Sequence, residues 1–523
     1  MSFAPTILAR IAAHPRLAAL ALGLLAATGF EPLGLWPLAL AAMAGFFALL
    51  GEAKDRRQAA LLGWLFGFAH FTFANSWIAT AFTYQAQMPA MLGWFAAPLL
   101  SVYLALFPAL AAAGARWFPD RNRGWTLAFA FAGIWILAEW LRGWLFTGYP
   151  WDPFGIVLLG GFERPGLARL APWLGTYALS GFAVLLACAL ALLLREKRLV
   201  PLGFLAALAT AIMLWPAGPG REGSLRYTVV QPDIRQEVLN EPAYYDRNFR
   251  KLAALTLPRD PDETRLVLWP ESGILEYLED GYPQRYYDRS NVLGSAQFTR
   301  YRVASTIGRS SLLLTGSADL EIENGRAVAA RNSVTAINGR GEIVGSYDKA
   351  HLVPFGEYLA LRWLLEPLGA TRLVPGSIDF LPGPGPRTID FGPWGKAGFQ
   401  VCYEIIFSGE VVDRANRPDY IFNPSNDGWY GSFGPPQHLA QARLRAIEEG
   451  LPVLRSTTTG ISAVVDARGV VRAHAPMRQA QRLEGFVPPA LPPTLFARLG
   501  NMLALGWAVL ALVIAVALRR SRR

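Results

Sequence analysis

Hydrophobic and polar residues are arranged in two different ways along the 523-residue chain. Long apolar runs fill residues 1–217 and recur near the C-terminus, whereas the apolar runs between them are short and separated by charged and turn residues. Runs long enough to cross a bilayer predict transmembrane helices, and eight can be placed near 8–29, 34–51, 58–82, 90–115, 125–143, 172–194, 199–216 and 498–518. The first run also fits a signal peptide, but the apolar runs that follow it favour a retained helix.

This pattern predicts three regions. They are a membrane domain of seven helices (1–217), a globular domain (218–495), and a last helix with a basic cytoplasmic tail (496–523). The composition agrees, because 53% of residues are hydrophobic and only 17% are charged, whereas about a quarter are charged in a typical soluble protein. The Pro/Gly-rich stretches 216–223 and 488–493 read as linkers at the two boundaries.

Basic residues in the short loops predict the orientation. They lie before the first helix, after the second, fourth and sixth helices, and at the end of the chain. In that order they are Arg10 and Arg16; Lys54, Arg56 and Arg57; Arg116, Arg121 and Arg123; Arg195, Lys197 and Arg198; and Arg519, Arg520, Arg522 and Arg523. The positive-inside rule then places both termini in the cytoplasm and the globular domain on the far side, which is the periplasm in a bacterium with two membranes. The net charge of +10 reflects this asymmetry, since no basic stripe interleaved with aromatic residues indicates nucleic-acid binding.

Short apolar runs in the globular domain predict strands. They lie at 226–231, 265–271, 311–318, 332–338, 342–349, 396–404, 420–427, 452–460 and 462–471. Helical patterns fall near 243–256, 288–303, 407–416 and 436–449. Strands that alternate with helices predict an α/β domain with packed sheets.

Three predicted strands end in residues that can carry chemistry: Glu271, Lys349 and Cys402. A carboxylate can take the proton of a thiol, and a lysine ammonium can favour the thiolate and stabilise an oxyanion. The set is therefore sufficient for acyl transfer. Each residue also has a structural interpretation: Glu271 as a helix cap, Lys349 as an exposed strand-end lysine, and Cys402 as a core side chain. No zinc-ligand spacing competes, and no metal or other cofactor is expected.

Cys402 is unusual because it has no partner. The other cysteine, Cys188, lies within the sixth predicted helix, and structural cysteines in an oxidising compartment come in pairs. An unpaired thiol there is either an inert buried side chain or a nucleophile.

Several motifs resemble a known family. "WPES" (269–272), "YDKAHLVPFGEY" (347–358), "VCYE" (401–404) and "NPSNDGWYG" (423–431) look like the nitrilase superfamily. With "FEPLGLWP" (30–37) and "EWLRGWLFTGYPW" (139–151), nearly the whole chain resembles the apolipoprotein N-acyltransferase family of Gram-negative bacteria. The resemblance implies an αββα sandwich in the periplasm, carried by eight transmembrane helices in the inner membrane.

The resemblance also implies a ping-pong reaction of a Glu271–Lys349–Cys402 triad. Cys402 attacks the sn-1 ester of a phospholipid, chiefly phosphatidylethanolamine, and the thioester passes its acyl chain to the α-amino group of a diacylglyceryl-cysteine at an apolipoprotein N-terminus. Glu271 is the general base, and Lys349 and the backbone N–H of Tyr403 stabilise the oxyanion. Glu357, Tyr403 and Glu404 support the site. The implied partners are the two lipid substrates and the bilayer, and we expect a monomer.

Residues at the water–lipid boundary suggest how lipids reach the site. The apolar segment 357–376, which includes Trp363, is either a lid that dips into the bilayer or a helix packed on the core. The loop 426–438, with Trp429 and Tyr430, is either a mobile gate or a rigid loop filled by these rings.

The fifth predicted helix carries two ionisable residues near its outer end. Glu139 and Arg142 can pair on one face, as a structural ion pair or as part of the acyl entry. Trp151 is grouped with Trp144, Phe146 and Tyr149 in an interfacial aromatic belt, and it is a further candidate for substrate contact. Glu31 and His70 receive no role.

Two other functions fit parts of the pattern. A membrane-anchored amidase or nitrilase would pass the acyl group to water, and the triad alone does not exclude it. A transporter or receptor with a degenerate nitrilase-like domain is less consistent with the sequence, because Glu271, Lys349 and Cys402 are intact and few charges lie mid-helix.

Overall fold

A computed structural model describes residues 14–84, 90–118, 124–260, 263–365, 367 and 378–520. In the N-terminal part the helices are α1 (Pro15–Ala27), α2 (Trp36–Gly51), α3 (Arg56–Ala74), α4 (Ile78–Ala81), α5 (Gly93–Leu104), α6 (Leu106–Ala115), α7 (Trp125–Arg142), α8 (Ala171–Arg195) and α9 (Leu199–Leu214). Prolines occupy the first turns of α1, α2 and α8, where no backbone donor is lost. Gly63 of α3 lets α6 approach, because an added Cβ would lie 2.6 Å from the Pro108 carbonyl oxygen.

A helix lies in each of the eight predicted apolar segments, including the C-terminal one, α17 (Asn501–Arg520). By length and composition, the described runs Ala90–Ala115, Gly166–Arg195 and Asn501–Arg520 are each long and apolar enough to cross a membrane. Residues 8–13 of the first predicted segment, like Arg10, Arg121, Arg123, Arg522 and Arg523, lie outside the described residues.

Two predicted helices are interrupted. The segment 58–82 ends as a helix at Ala74, because Asn75 turns its side chain back to donate to the Phe71 carbonyl (2.9 Å) and accepts from the Tyr149 hydroxyl (2.6 Å). In α8, Gly175 has φ 71° and ψ 171°, a conformation that glycine adopts readily. The regular helix therefore begins after it, at Thr176.

The C-terminal part has helices α10 (Gln236–Leu239), α11 (Tyr245–Thr256), α12 (Gln284–Ser290), α13 (Ala296–Ile307), α14 (Arg362–Leu365), α15 (Gly434–Glu449) and α16 (Leu495–Leu499) before α17. Its strands within the described ranges are β1 (Arg226–Gln231), β2 (Arg265–Leu268), β3 (Ser311–Glu323), β4 (Arg326–Asn338), β5 (Ile343–Asp348), β6 (Thr388–Asp390), β7 (Lys396–Phe399), β8 (Tyr420–Ser425), β9 (Val453–Thr457), β10 (Ala463–Val465), β11 (Val471–His474) and β12 (Gln481–Phe486).

These strands form two six-stranded sheets. One has the order β12-β1-β2-β3-β4-β5 and the other β11-β10-β9-β8-β7-β6. Leu266 and Leu268 of β2 share a core with Phe422 of the second sheet, whereas Val267 points to the opposite face and packs with α11 and α13. This alternation is what a pleated strand requires when both faces are buried.

Helix α15 joins the second sheet to the helical bundle. Leu439 and Ala442 belong to the sheet core, and Leu444 and Ile447 belong to the core of the bundle. Near its C-terminal end, Glu448 accepts hydrogen bonds from the backbone N–H (2.6 Å) and hydroxyl (2.7 Å) of Thr176. A buried carboxylate thus caps the start of the regular part of α8.

The sequence patterns missed some elements and misread one. Strands β6 and β12 have no counterpart among the predicted strands, and β3 and β4 form a longer hairpin than expected. The predicted helix at 407–416 is wrong: Gly409 has φ 83°, and the Asp413 side chain accepts from the N–H groups of Ala415 (3.0 Å) and Asn416 (3.2 Å). Such local side-chain bonds favour a turn over a helix.

Candidate active site

The three chemically distinctive residues meet at the ends of strands from both sheets. Glu271 follows β2, Lys349 follows β5 directly, and Cys402 lies three residues after β7 and begins a short 3₁₀ turn, Cys402–Ile406. Since β2 and β5 belong to one sheet and β7 to the other, the site is assembled across the two sheets. All three side chains are buried.

The lysine lies between two carboxylates. Its Nζ atom is 3.0 Å from Oε1 of Glu357 and 3.6 Å from Oε1 of Glu271. Asn332 donates from Nδ2 to the same two oxygens, at 2.8 Å to Glu271 and 2.7 Å to Glu357. The other oxygen of Glu271 accepts from the backbone N–H of Asn426 (2.7 Å). Asn332, which the sequence analysis missed, thus fixes both carboxylates against the lysine.

The charges around Lys349 and Cys402 shift their pKa values. Burial by itself lowers the pKa of Lys349, but the carboxylates of Glu357 and Glu271 outweigh it, so its pKa is raised and the ammonium persists. Burial raises the pKa of the Cys402 thiol, Glu271 raises it further, and Lys349 lowers it. The resting sulfur is therefore a neutral thiol, which needs a base to accept its proton as it reacts.

Cys402 has a strained backbone. Its φ is 52°, in the left-handed region that residues with a Cβ seldom adopt. Its Sγ atom lies 3.4 Å from the hydroxyl of Tyr430. Strain of this kind persists only where neighbouring groups impose it.

A buried histidine holds the strained cysteine. His438 Nε2 is 3.0 Å from the Cys402 carbonyl oxygen, and its Nδ1 is 3.1 Å from both Nη2 of Arg455 and Oδ1 of Asp427. Burial and the Arg455 guanidinium lower the pKa of His438, so the ring is neutral. Because the Cys402 carbonyl oxygen can only accept a hydrogen bond, the proton of the neutral ring lies on Nε2, and Nε2–H donates to that oxygen.

Glu404 and Tyr403 connect the cysteine turn to its surroundings. Oε1 of Glu404 accepts from the Tyr347 hydroxyl and the Ala350 and His351 N–H groups, and Oε2 accepts from the Val401 N–H, at 2.7–3.1 Å. Burial raises the pKa of Glu404 to about 7. The Tyr403 hydroxyl donates to the Gly148 carbonyl (3.3 Å), in the loop after α7.

Family models match most of the chain. Residues 22–189 match the apolipoprotein N-acyltransferase N-terminal domain, and residues 228–482 match carbon-nitrogen hydrolase. A protein of Rhodopseudomonas palustris named apolipoprotein N-acyltransferase is 34% identical, with 96% of this chain and 95% of that protein covered. The chain belongs to the apolipoprotein N-acyltransferase family.

Other relatives agree. The apolipoprotein N-acyltransferase of Bradyrhizobium diazoefficiens is 32% identical over 97% of this chain and 95% of its own length. Among solved structures, an amidase from Nesterenkonia sp. AN1 is 16% identical with a TM-score of 0.36, covering 52% of this chain and 94% of that chain. A likeness this distant adds nothing to the family assignment.

Trp151 packs beside Tyr430, next to Cys402, and is not part of an exposed aromatic belt. It is fully buried, its ring packs 5.7 Å from Tyr430 and 4.8 Å from Trp77, and its Nε1 donates to Gln437 (2.9 Å). Trp144 and Phe146 are exposed, as expected for a belt. Trp151 is buried, contrary to the prediction, because the catalytic domain packs onto the loop that carries it.

Glu139 and Arg142 do not form an ion pair. Glu139 accepts from the Trp135 indole (3.0 Å) and the Phe154 N–H (2.8 Å), whereas Arg142 donates to the carbonyls of Tyr149 (2.9 Å) and Trp151 (2.8 Å). Both residues therefore hold the loop 149–154 through its backbone groups, which need hydrogen-bond partners when they are buried.

The predicted boundary segments lie beside this site. Trp363 is 77% exposed on α14, with Leu361 and Leu364 also exposed and Leu359 buried; residue 366 and residues 368–376 of this segment lie outside the described residues. Trp429 packs 5.7 Å from the ring of Tyr84. His70 is buried, and its ring lies 5.3 Å from Phe30 and 5.1 Å from Phe71. No hydrogen bond or ion pair among the described residues links His70 or Glu31 to the triad.

Proposed function

We propose that this protein transfers the sn-1 acyl chain of a phospholipid, through a thioester on Cys402, to the α-amino group of the diacylglyceryl-cysteine that begins an apolipoprotein. This is the last step of lipoprotein maturation. The observation that carries the proposal is a buried, unpaired thiol under the charges of Glu271 and Lys349, in a chain related along its length to apolipoprotein N-acyltransferases.

In the first half-reaction, Sγ of Cys402 attacks the sn-1 ester carbonyl as Glu271 accepts its proton. The Lys349 ammonium and the backbone N–H of Tyr403 stabilise the oxyanion, which is the type of interaction that contributes most to acyl transfer. Collapse breaks the ester C–O bond, and Glu271 returns the proton to the departing lysophospholipid oxygen. The product is an acyl thioester on Cys402.

In the second half-reaction, the amine of the acceptor attacks the thioester carbon. Glu271 accepts a proton from the nitrogen, the C–S bond breaks, and the proton passes to the sulfur, so the thiol is restored and an amide is formed. Glu357 supports this cycle because, with Asn332, it keeps the Lys349 ammonium in place through both steps.

The placement of the reaction is part of the same proposal. We infer an αββα sandwich (218–495) in the periplasm, carried by seven helices of a membrane domain (1–217) and one C-terminal helix (496–523), with both termini cytoplasmic. The exposed apolar residues of α14 support a lid at the outer leaflet of the inner membrane, and Trp363, Trp429, Tyr430 and Trp151 are proposed to contact the lipids. Phosphatidylethanolamine is the proposed donor, and a monomer is sufficient because one chain supplies every triad residue.

A two-substrate assay tests the transfer and separates it from the amidase alternative. The protein in nanodiscs is given phosphatidylethanolamine with a labelled sn-1 chain and a synthetic diacylglyceryl-cysteine peptide. We expect the label on the peptide α-amine, and none on a matched peptide whose amine is acetylated. Release of the label as free fatty acid at the same rate with or without the peptide would instead indicate a hydrolase.

A further inference from the structure

A cavity of about 260 Å³ lies outside the active site, where the helical bundle meets the catalytic domain. Its walls come from the C-terminal end of α7 (Trp140 and Trp144), the start of the regular part of α8 (Tyr177), the first residue of α17 (Asn501), and the loop after the nucleophile turn, through Glu410. These helix ends all lie at the end of the bundle that carries the catalytic domain. Cys402 is not among the lining residues.

The surroundings of the cavity fit the headgroup level of a bilayer. Trp144 is 49% exposed at its edge. Trp173 is also exposed on this side of the bundle, and the Trp507 indole donates to its carbonyl (3.0 Å). Exposed tryptophans at helix ends are typical of the membrane–water interface.

The polar groups of the cavity favour a cation. Glu410 is exposed, and its carboxylate makes no ion pair within the described part of the chain. The guanidinium of Arg414, which donates to the Gly409 carbonyl (3.1 Å), is the basic group that acts on it, and Arg414 is not among the lining residues. The Oδ1 atom of Asn501 is buried without a partner, because the amide uses its Nδ2 to donate to the Ser408 carbonyl (2.7 Å). The Tyr177 hydroxyl, on a side chain that is only 3% exposed, also makes no hydrogen bond among the described residues.

Aromatic rings complete this environment, and no basic side chain lines the cavity as the described residues define it. Trp140 and Trp144 lie with ring centroids 5.3 Å apart in an edge-to-face arrangement. A carboxylate, an amide oxygen and indole faces together are the groups that bind ammonium ions.

We propose that this cavity binds the ammonium headgroup of an ethanolamine phospholipid. A lipid bound there does not react with Cys402. The inference rests on the membrane placement in the proposed function, but not on its transfer chemistry. An acceptor amine is a less suitable occupant, because it must reach the sulfur of Cys402, which lies elsewhere.

Occupancy of the cavity would act on the nucleophile turn through Phe407. This residue lines the cavity, and its ring packs 5.2 Å from Tyr403 and 3.6 Å from His351. A bound headgroup therefore braces the segment that presents Cys402.

The test measures lipid binding by native mass spectrometry in a Cys402→Ala background, where no thioester can form. We expect more phosphatidylethanolamine than phosphatidylglycerol of the same chains to be retained. Glu410→Gln should weaken phosphatidylethanolamine binding about tenfold, as expected for the loss of one charge-assisted contact, and leave phosphatidylglycerol unaffected. Glu323→Gln, at an exposed hairpin position, is the matched control and should change neither.

Tyr177→Phe provides a second variant, since it removes only a hydroxyl and should reduce the same preference. Equal retention of the two lipids, or a preference that survives Glu410→Gln, would overturn the proposal. Displacement of the Glu410-dependent part of the bound lipid by an equimolar diacylglyceryl peptide with a free amine would overturn it in favour of an acceptor site. Because binding is read without catalysis, a failed transfer assay would leave this result intact.

Discussion

Replacing His438 with leucine should slow thioester formation without unfolding the protein. The Nε2 atom of His438 is 3.0 Å from the Cys402 carbonyl oxygen, and Cys402 has φ 52°, a conformation that costs about 1–3 kcal/mol. Leucine occupies a similar volume but cannot donate a hydrogen bond. The turn that presents the sulfur would therefore lose a group that maintains its strained geometry.

The structure allows the size of this effect to be approximated. A neutral hydrogen bond contributes about 1 kcal/mol, and a buried carbonyl left without a donor costs about 1–3 kcal/mol. We take about 2 kcal/mol of this loss to raise the free-energy barrier for attack by the sulfur. Thioester formation should then slow roughly 30-fold. The KM for phospholipid should change little, because His438 contacts the backbone of Cys402 and not the lipid.

The assay is quenched-flow intact-protein mass spectrometry of the acyl-enzyme, with the unfolding temperature measured in parallel. His438→Gln is the informative partner, because its amide N–H can reach the position of Nε2, and it should recover most of the rate. His474→Leu, at an exposed histidine of the same domain, is the matched control. Wild-type rates in His438→Leu, or a glutamine variant as slow as leucine while both stay folded, would refute the reasoning.

Other variants test the remaining parts of the site. Lys349→Met should slow thioester formation at least about 100-fold through loss of oxyanion stabilisation, and near-normal single-turnover rates would contradict this role. Asn332→Ala should slow the same step about tenfold, because two charge-assisted hydrogen bonds to Glu271 and Glu357 are lost; unchanged rates would exclude a positioning role. Because burial and Glu271 raise the pKa of Cys402, its alkylation by iodoacetamide at pH 8 should be slower than that of cysteine in a denatured control and should increase as the pH rises. Rapid alkylation that does not vary with pH would indicate a preformed thiolate.

Local sequence patterns predicted the parts of the site that depend on single strands. Glu271, Lys349 and Cys402 each follow a short apolar run, and polar groups at the ends of buried strands tend to converge. The breaks in the helices were not predicted, because Asn75 and Gly175 lie inside apolar runs and act through backbone conformation and contacts that are distant in sequence.

The support of the nucleophile could not be predicted from the sequence. Asp427, His438 and Arg455 come from a loop, a helix and a strand, and they meet only because α15 packs on the second sheet. Trp151 was misplaced for the same reason: its aromatic neighbours in sequence suggest a membrane interface, whereas its burial depends on a domain that follows much later in the chain. Such contacts are set by tertiary packing, which periodicity does not encode.

The central claim is that the sulfur of Cys402 carries the fatty chain. The most direct measurement is the intact mass of the protein after incubation with a phospholipid labelled in its sn-1 chain, with no acceptor present, followed by peptide mapping. The account predicts one labelled acyl group on Cys402, released by hydroxylamine and absent from Cys402→Ala. Label on another residue, or acyl transfer to an acceptor peptide by Cys402→Ala at an undiminished rate, would contradict it.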